Sequence, residues 1–536
     1  MFPTSLLFLA APAAPIVTAA LVPKSVANAL PAKMRRWVTM LTTVQLAAAL
    51  AATALFSWRL LTTSGAPEPI ESPAWMNSVG ASIYLDGVSC LMFLMVSVIG
   101  WMICRYSIRY LDGDPSQGNY FRWTGFTLGA VSLMVLSGNL ILFFAAWLMT
   151  SLGLHQLLLH NPGRPAARRA AWTKFTVSRI GDGALAIALI MIYSELGTLQ
   201  LSELFESVAS KVQAGVNLQV AVLLLVMAAA IKSAQFPFHT WLPQTLETPT
   251  PVSALMHAGI VNAGGYLVVR TCPILSVAPW ALSILAIVGA ITAFFGAIVM
   301  LTQPSIKKSL AYSTIAQMGF MMLQCGLGAF SAALLHILAH SMYKAHAFLG
   351  SGGAIADRSS LGGNESIRNS NEFQLAVTDS DWKAGAIAAA FSICCLLASL
   401  FCVGIDPVNK PGGLLLGAIL CLALTHWLRL VHASGDRLLV LRAAAVTGLL
   451  CFAYSGSLGI VIGFSAASVS SVTIPIAGYV ALGAVVTVGF GLMYWVEQGG
   501  PHANWTSKKS RWYVHASNGF YVDSFLRRLV GSLANS

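Results

Sequence analysis

A lysine inside an apolar stretch is the feature that most constrains how this chain folds. Lys232 follows the run LQVAVLLLVMAAAI (218–231) and precedes SAQFPFHTWLPQ, which contains two prolines. An ionisable residue within a membrane segment costs about 2.5–3.5 kcal/mol on insertion scales, so it usually lines an ion or substrate path. The sequence therefore predicts a membrane protein with a proton or cation route at Lys232.

The composition indicates one large polytopic bundle. The 536 residues are 57% hydrophobic and 9% charged, against about 25% charged in soluble domains. We predict an all-α membrane domain over 1–495, with its core at about 80–430, a cytoplasmic loop at 354–382 and a cytoplasmic tail at 496–536. Apolar runs of about 20 residues predict about 15 spans. They lie near 4–22, 37–62, 79–104, 121–138, 140–159, 171–193, 217–249, 252–271, 276–300, 310–328, 330–353, 384–404, 412–430, 440–463 and 471–495.

The net charge of +12 is dispersed over short loops, so it indicates topology and not nucleic-acid binding. The positive-inside rule places the N-terminus outside and the C-terminus in the cytoplasm, in the cell inner membrane. The basic residues assigned to cytoplasmic loops are Lys24, Lys33, Arg35, Arg36, Arg105, Arg109, Arg164, Arg168, Arg169, Lys174, Lys307 and Lys308. The opposite loops carry acids, namely Glu68, Glu71, Glu195, Glu203 and Glu206.

The seventh segment is too short to be one simple span. Residues 218–231 would form roughly 21 Å of helix, against a hydrocarbon core of about 30 Å. Irregular backbone at membrane depth is tolerated where it is buried in protein or lines a cavity. We therefore expect a helix broken near Lys232–Pro237, with a second half running on through HTWLPQTLE (239–247).

A second group of ionisable residues lies on one predicted helix. His336, His340 and Lys344 recur at i, i+4 and i+8, which places them on one face. Together with Lys232 and His257 they could relay protons, because histidine both accepts and donates near neutral pH. Two other interpretations stay open, which are helix–helix hydrogen bonds and metal chelation by His336 and His340 without an accompanying acid.

Arg179 and Asp182 lie inside the sixth apolar run. Asp182 is at a depth where it could pair with Lys232 and modulate the proton affinity of the amine. The alternative is a static Arg179–Asp182 pair that holds two helices together.

At these residues the chain resembles the proton-conducting antiporter-like family shared by respiratory complex I and the multi-subunit cation/proton antiporters. The resemblance covers roughly residues 80–353. The motifs are LDGVS (85–89), KFTVSRIGD (174–182), KSAQFPFHTWLP (232–243), TPTPVSALMHA (248–258), IKKSLAYSTIAQMG (306–319) and HILAHSMYKA (336–345). The resemblance implies a broken seventh helix, inverted repeats with a second broken helix, and proton-carrying roles for Lys232, His257, His336, His340 and Lys344.

The chain also departs from the family pattern. Leu148 follows Trp147 where the large complex I subunit has a glutamate, which leaves Asp182 as the candidate acid beside Lys232. The intramembrane lysine motif of the family's twelfth helix is missing, and only Asp406 and Lys410 stand nearby.

A shortened antiporter-like chain with HAGIVNAGGYLVVR (257–270) and a tail reading WYVHASNGFYVDSFLRRL (512–529) is similar to the membrane subunits of the two-component DAB inorganic-carbon pumps. That resemblance implies inward flow of protons or sodium, coupled to hydration of carbon dioxide by a cytoplasmic zinc-containing partner that resembles a carbonic anhydrase. This chain itself would hold no catalytic centre, metal or cofactor.

The tail combines aromatic and arginine residues, a mixture enriched at protein interfaces. We expect the partner to bind Trp512, Tyr513, Phe520, Tyr521, Arg527 and Arg528, and an amphipathic tail on anionic lipid is the alternative. The rival functions are a proton-pumping subunit of a complex I-like or hydrogenase-like redox complex, a cation/proton antiporter component, and a passive membrane anchor.

Overall fold

The structure is a computed structural model that describes residues 4–63, 67–73, 81–210, 215–351, 382–406, 411–469, 472, 475–498, 507–525 and 528. Its helices are α1 (Thr4–Leu21), α2 (Lys24–Ala29), α3 (Pro31–Thr62), α4 (Gly87–Tyr110), α5 (Gln117–Leu136), α6 (Leu140–Leu158), α7 (Pro165–Leu196), α8 (Leu201–Ala209), α9 (Val216–Lys232), α10 (Thr250–Ala258), α11 (Ala263–Arg270), α12 (Cys272–Leu275), α13 (Pro279–Leu301), α14 (Ile306–Gly326), α15 (Phe330–Ser351), α16 (Trp382–Val403), α17 (Pro411–His432), α18 (Arg437–Ser465), α19 (Ile476–Gln498) and α20 (Ser507–Ser517).

The predicted all-helical polytopic class is confirmed. Within the described residues, eight helices are long and apolar enough to cross a membrane, and shorter apolar helices accompany them. The number of about 15 spans stays a prediction. Two short strands, β1 (Ile70–Glu71) and β2 (Tyr84–Leu85), pair antiparallel before α4, a feature that the sequence analysis did not anticipate.

Helix starts follow from local sequence chemistry. The Asp86 carboxylate accepts from the backbone N–H of Ser89 at 2.8 Å and caps α4, and Asn139 caps α6 by accepting from the N–H of Ile141 at 2.7 Å. Such caps satisfy backbone donors that a helix start leaves without a partner. Proline in the first turn begins α3, α7 and α13, where its missing N–H costs nothing.

A fully buried ion pair ties α4 to α11. Arg270 donates to both carboxylate oxygens of Asp86 at 2.9 Å and also bonds the hydroxyls of Ser89 and Tyr266. Both charged side chains are about 1% exposed. Breaking a pair of this kind costs about 3–5 kcal/mol because one charge stays buried, so Asp86 and Arg270 fix the position of the short helix α11.

Helices α13 and α14 approach each other closely through glycine. A Cβ placed on Gly319 would lie 2.4 Å from the backbone nitrogen of Ala293, so a larger residue would force the helices apart. Small residues permit this contact in membranes, where packing and not hydrophobic burial holds helices together.

Helices α16, α17 and α18 share a separate small core formed by Leu396, Leu400, Cys421, Leu424 and Cys451. The candidate site lies in the larger core, which contains α4 to α15.

Side-chain contacts connect the loops that the sequence predicts to be basic, and these loops lie on one face of the bundle. Arg35 pairs with Asp112 at 3.6 Å, and Arg164 pairs with Glu247 at 2.8 Å. Gln303, in the loop before Lys307, donates to the carbonyl of Ser517 in α20 at 3.0 Å. His160 contacts Asp114 at 3.0 Å and Gln244 donates to Asp523 at 2.9 Å, so these loops and the tail share a side. That this side is cytoplasmic stays a prediction.

Candidate ion-conducting site

Helix α9 ends at Lys232 in a Schellman motif. The N–H of Gln235 donates to the Ala230 carbonyl at 3.0 Å, and the N–H of Ala234 donates to the Ile231 carbonyl at 3.3 Å. Ala234 adopts a left-handed conformation with φ 51°, a position that glycine usually occupies. The predicted break is confirmed, but this motif and not Pro237 ends the helix. The predicted second half is a chain of turns followed by a 3-10 helix, Leu242–Glu247, and not an α-helix.

The Lys232 ammonium is buried and contacts neutral groups. Its Nζ donates to the Ser151 hydroxyl at 3.0 Å and to the Trp147 carbonyl at 3.5 Å, and it stands 4.1 Å from the centre of the Trp147 ring. Lys232 is 6% exposed. Among the described residues no carboxylate pairs with it, so hydrogen bonds and the indole face hold this charge.

Asp182 and Lys232 both contact Trp147, which lies between them. One carboxylate oxygen accepts from the Trp147 indole N–H at 2.7 Å, and the other pairs with Arg179 at 2.6 Å. Trp147 therefore lies between the acid and the ammonium. Within the described residues Asp182 makes no direct ion pair with Lys232, because Arg179, one helical turn away on α7, pairs with the second Asp182 oxygen. The role of Asp182 as the electrostatic partner of Lys232 stays a prediction.

Lys174 belongs to the site and not to a loop. The charge pattern predicted a cytoplasmic loop at this lysine, but α7 begins at Pro165 and buries the side chain at 2% exposure. Its Nζ donates to the Ser151 carbonyl at 3.0 Å. The spacing of Lys174, Ser178 and Asp182, at i, i+4 and i+8, was the available signal, since it places them on one helix face.

The following span is also interrupted. The apolar run predicted one segment over 252–271, but α10 ends at Ala258 and a 3-10 turn, Ile260–Asn262, separates it from α11. A helix end leaves carbonyls without intrahelical donors. Here side chains bind them: His340 contacts the His257 carbonyl at 3.3 Å, and Asn262 donates to the Ala258 carbonyl at 2.9 Å.

The predicted stripe on α15 is present and faces these groups. The rings of His336 and His340 are 5.9 Å apart, and the Lys344 ammonium donates to the Leu310 carbonyl on α14 at 3.1 Å. Lys344 is fully buried. His257 contacts the Thr314 hydroxyl through Nδ1 at 3.1 Å and stacks on Phe348 at 4.3 Å. Nε2 of His336 is buried and has no hydrogen-bond partner in the described part of the chain.

Polar contacts join the two interruptions. The Ser233 hydroxyl, next to Lys232, donates to the Val261 carbonyl at 2.7 Å. Asn262 donates to the Ser341 hydroxyl at 2.8 Å, and Ser341 follows His340 along α15. A line of polar groups therefore runs from the Lys232 site to the histidine stripe, which is the arrangement that a proton or cation route requires.

The tail folds back on the chain itself. Phe520 lies 6.0 Å from Phe295 of α13, Tyr513 donates to the Thr302 carbonyl at 3.4 Å, and Asp523 accepts from Gln244 of the broken segment at 2.9 Å. Phe520 therefore faces the bundle and not open solvent. Trp512, Tyr521 and Phe525 are exposed, as is Arg528.

Three predicted features lie outside the described residues. They are the loop at 354–381, Lys410 and Arg527. Among the described residues no cluster of three or more His, Cys, Asp or Glu side chains could hold a metal ion.

Family models match most of the core. The model described as NADH:quinone oxidoreductase/Mrp antiporter, TM matches residues 137–398. The model for the N-terminus of NADH-ubiquinone oxidoreductase (complex I) chain 5 matches residues 75–121.

The similar proteins include inorganic carbon transporter subunits. The protein named Probable inorganic carbon transporter subunit DabB2, from Halothiobacillus neapolitanus, is 37% identical over 464 residues, which cover 85% of this chain and 81% of that protein. DabB of Hydrogenovibrio crunogenus is 41% identical over 284 residues, 52% of this chain and 55% of the relative. NADH-quinone oxidoreductase subunit L of Escherichia coli is 37% identical over 287 residues, 52% of this chain and 47% of the relative.

A solved Mrp complex from a Dietzia species has the same fold, with a TM-score of 0.61 at 22% identity over 96% of this chain and 60% of that one. The broken helix, the buried basic stripe, the family models and the long match to DabB2 agree. The chain belongs to the antiporter-like family of membrane subunits that complex I and the Mrp antiporters share, and within that family it is similar to the DabB subunits.

Proposed function

We propose that this chain is the ion-conducting membrane subunit of an inorganic-carbon uptake complex. Protons, or sodium ions, move inward through the route formed by Lys232, His257, His336, His340 and Lys344. Their flow drives the hydration of carbon dioxide to bicarbonate by a cytoplasmic partner that resembles a carbonic anhydrase and holds zinc. The names of the DabB relatives support inorganic carbon as the cargo.

One observation carries the ion-conducting role. Lys232 and Lys344 are buried, and their ammonium groups donate to hydroxyl and carbonyl oxygens instead of pairing with carboxylates within the described residues. An ammonium in a tight ion pair holds its proton firmly, whereas one that contacts only neutral oxygens exchanges it more readily. The polar contacts at Ser233 and Asn262, which lead from the Lys232 site towards Ser341 and the histidine stripe of α15, support a path for such a proton.

The sidedness that we propose is cytoplasmic for the tail face and external for the N-terminus, in the cell inner membrane. The basic loops and the tail lie on one face, and the positive-inside rule assigns that face to the cytoplasm. A partner on this side would contact the exposed aromatic residues of the tail and the loop at 354–382.

The conducting role is tested with Lys232→Met, compared with Lys33→Met at an exposed lysine of α3. We expect Lys232→Met to abolish growth rescue in air of a bacterium that lacks carbonic anhydrase, while its amount in the membrane equals that of wild type. The control should support full growth. Growth of the Lys232→Met strain at the wild-type rate would refute the conducting role.

The partner is tested by truncation after residue 500. We expect the shortened chain to stay in the membrane while a zinc-containing protein, which co-purifies with the full chain, moves to the soluble fraction. Phe525→Ala should weaken retention more than Phe520→Ala, because Phe525 is exposed whereas Phe520 packs on Phe295 of the chain itself. Co-purification of iron–sulfur or quinone-binding subunits would favour a redox complex instead, and sodium-dependent transport with several antiporter subunits would favour an antiporter.

A further inference from the structure

The turn at residues 519–523 of the tail lies on the segment that follows Lys232. The Asp523 carboxylate accepts from the Gln244 amide of the 3-10 helix at 2.9 Å. The Phe520 ring lies 6.0 Å from Phe295 of α13. Phe295 in turn lies 4.7 Å from the ring of His239, so a chain of ring contacts connects the tail to the broken segment.

His239 is a buried polar group seven residues beyond Lys232. It is 2% exposed, and its Nδ1 has no hydrogen-bond partner among the described residues. A buried polar atom without a partner is costly unless water or an ion reaches it. The inside of the broken segment is therefore a place for water or a transported ion, behind the Phe295 ring that Phe520 contacts.

The same turn packs closely on α14, which carries the acceptor for Lys344. A Cβ placed on Gly519 would lie 3.0 Å from the Tyr312 hydroxyl. Leu310, whose carbonyl binds Lys344, precedes Tyr312 by two residues. The turn therefore contacts elements that belong to both lysine sites.

The backbone of this turn is strained. Gly519, Phe520 and Tyr521 have positive φ values of 61°, 52° and 60°. Glycine adopts such values freely, whereas a residue with a side chain does so at a cost in free energy. Conformations of this kind persist only where surrounding contacts hold them, and they are concentrated at switch regions. The contacts of Phe520 and Asp523 therefore hold a turn that would otherwise relax.

We propose that residues 519–523 form a latch that closes the tail-side end of the ion route. While Phe520 packs on Phe295 and Asp523 binds Gln244, the latch blocks the entry of water and ions to the broken segment beside His239. Release of the latch relaxes the strained turn and opens this end of the route. The inference rests on the proposed conducting role of Lys232.

The outer face of the tail provides a way to release the latch. Tyr521 follows Phe520 directly and is 42% exposed, and Trp512, which is also exposed, lies 6.3 Å from the Phe520 ring. A partner that binds these outward side chains acts on the latch itself. Binding of the partner and opening of the route are therefore one event.

The test measures proton flux, driven by a pH gradient, into proteoliposomes that contain the full chain alone. We expect low flux for wild type. Phe520→Ala should raise the flux about tenfold, because burying part of a phenylalanine stabilises the closed latch by roughly that factor. Asp523→Ala should raise the flux by a smaller factor. Phe401→Ala is the matched control, since this ring is 86% exposed on α16, outside the latch and the route.

Two further variants distinguish an opened latch from a weakened bundle. Adding Lys232→Met to Phe520→Ala should abolish the extra flux, because it interrupts the route behind the latch. The chain truncated after residue 500 lacks the latch and should conduct like Phe520→Ala, which keeps the test valid if Phe520→Ala does not fold. Addition of the partner that the full chain retains, with carbon dioxide, should raise the flux of wild type and leave that of Phe520→Ala little changed.

Low flux in both Phe520→Ala and the truncated chain would overturn the latch. Extra flux that survives Lys232→Met would overturn it too, because those protons cross outside the route. Wild-type flux that stays low with the partner, while Phe520→Ala conducts, would overturn release by the partner. The conducting role itself fails on a different result, which is wild-type growth of the Lys232→Met strain.

Discussion

Lys232 and Lys344 are both buried lysines, but their surroundings differ. Lys232 is the last residue of α9, beside Trp147, Asp182 and Lys174, so charged groups of both signs lie around it. Lys344 lies within the continuous helix α15 and donates to a carbonyl, and no carboxylate of the described residues pairs with it. Charged groups of both signs therefore lie near the first lysine, whereas the second contacts a main-chain carbonyl and follows two histidines on its own helix.

The largest effect should come from removing the second lysine. Lys344→Met should lower growth rescue to background, as we expect for Lys232→Met, because either gap interrupts the same route. Lys383→Met, at an exposed lysine of α16, is the matched control. Substantial rescue by Lys344→Met would show that ions leave the route before reaching α15.

The histidine stripe gives the next largest effect. His336→Ala and His340→Ala should each reduce proton flux strongly, and the double variant should be little worse than either single change, because one missing link already stops a relay. Flux in proteoliposomes measures the three variants against wild type. Mild and additive effects would indicate that the two histidines only pack helices and do not share a proton route with the Lys232 site.

A smaller effect is expected at Asp182. Asp182→Asn keeps an acceptor for the Trp147 indole but removes the negative charge. Across the Trp147 side chain, that charge stabilises the Lys232 ammonium by on the order of 1 kcal/mol. Flux should fall several-fold and not vanish. Trp147→Phe is the complementary variant, since it removes the hydrogen bond and leaves the charge. Leu148→Glu in the Asp182→Asn background should restore part of the flux. Full flux in Asp182→Asn would place Lys232 outside the influence of this acid.

The smallest effect concerns the helix end at Lys232. Ala234→Gly should relieve the left-handed conformation of Ala234 and raise the free energy of unfolding by up to about 1 kcal/mol, because glycine adopts positive φ without a steric penalty. Thermal unfolding in detergent measures the change, and flux should be unaffected. Lower stability in this variant would mean that the Ala234 methyl group packs usefully at the break.

The sequence predicted features that depend on local pattern. The apolar runs, the shortness of 218–231 and the i, i+4, i+8 spacing on α15 follow from helix geometry, and the structure has them. The break near Lys232 was predicted from the shortness of the segment. The Schellman motif that ends the helix was not predicted, since an alanine in a left-handed conformation has no sequence signal.

Contacts between distant segments could not be predicted in the same way. Lys174 was assigned to a loop because basic residues near a span usually mark topology, and nothing in the sequence places Ser151 beside it. The interruption after His257 was missed because the run 252–271 has the length of one span, although Gly259 and Asn262 lie at the point where the helix breaks. The tail residues Tyr513 and Phe520 were assigned to a partner because composition cannot distinguish an interface within one chain from one between chains.

Four of the basic side chains at this site bind main-chain carbonyls, with Lys232 on Trp147, Lys174 on Ser151, His340 on His257 and Lys344 on Leu310. A main-chain oxygen is present whatever side chain its residue carries. Position 310 can therefore carry other apolar side chains and still offer the same acceptor, provided that the helix keeps its place, whereas Ser151 and His257 also act through their side chains. Alanine scanning will not detect these oxygens. Amide-to-ester replacement of the following peptide bond, which weakens the carbonyl as an acceptor, is the chemical change that reaches them.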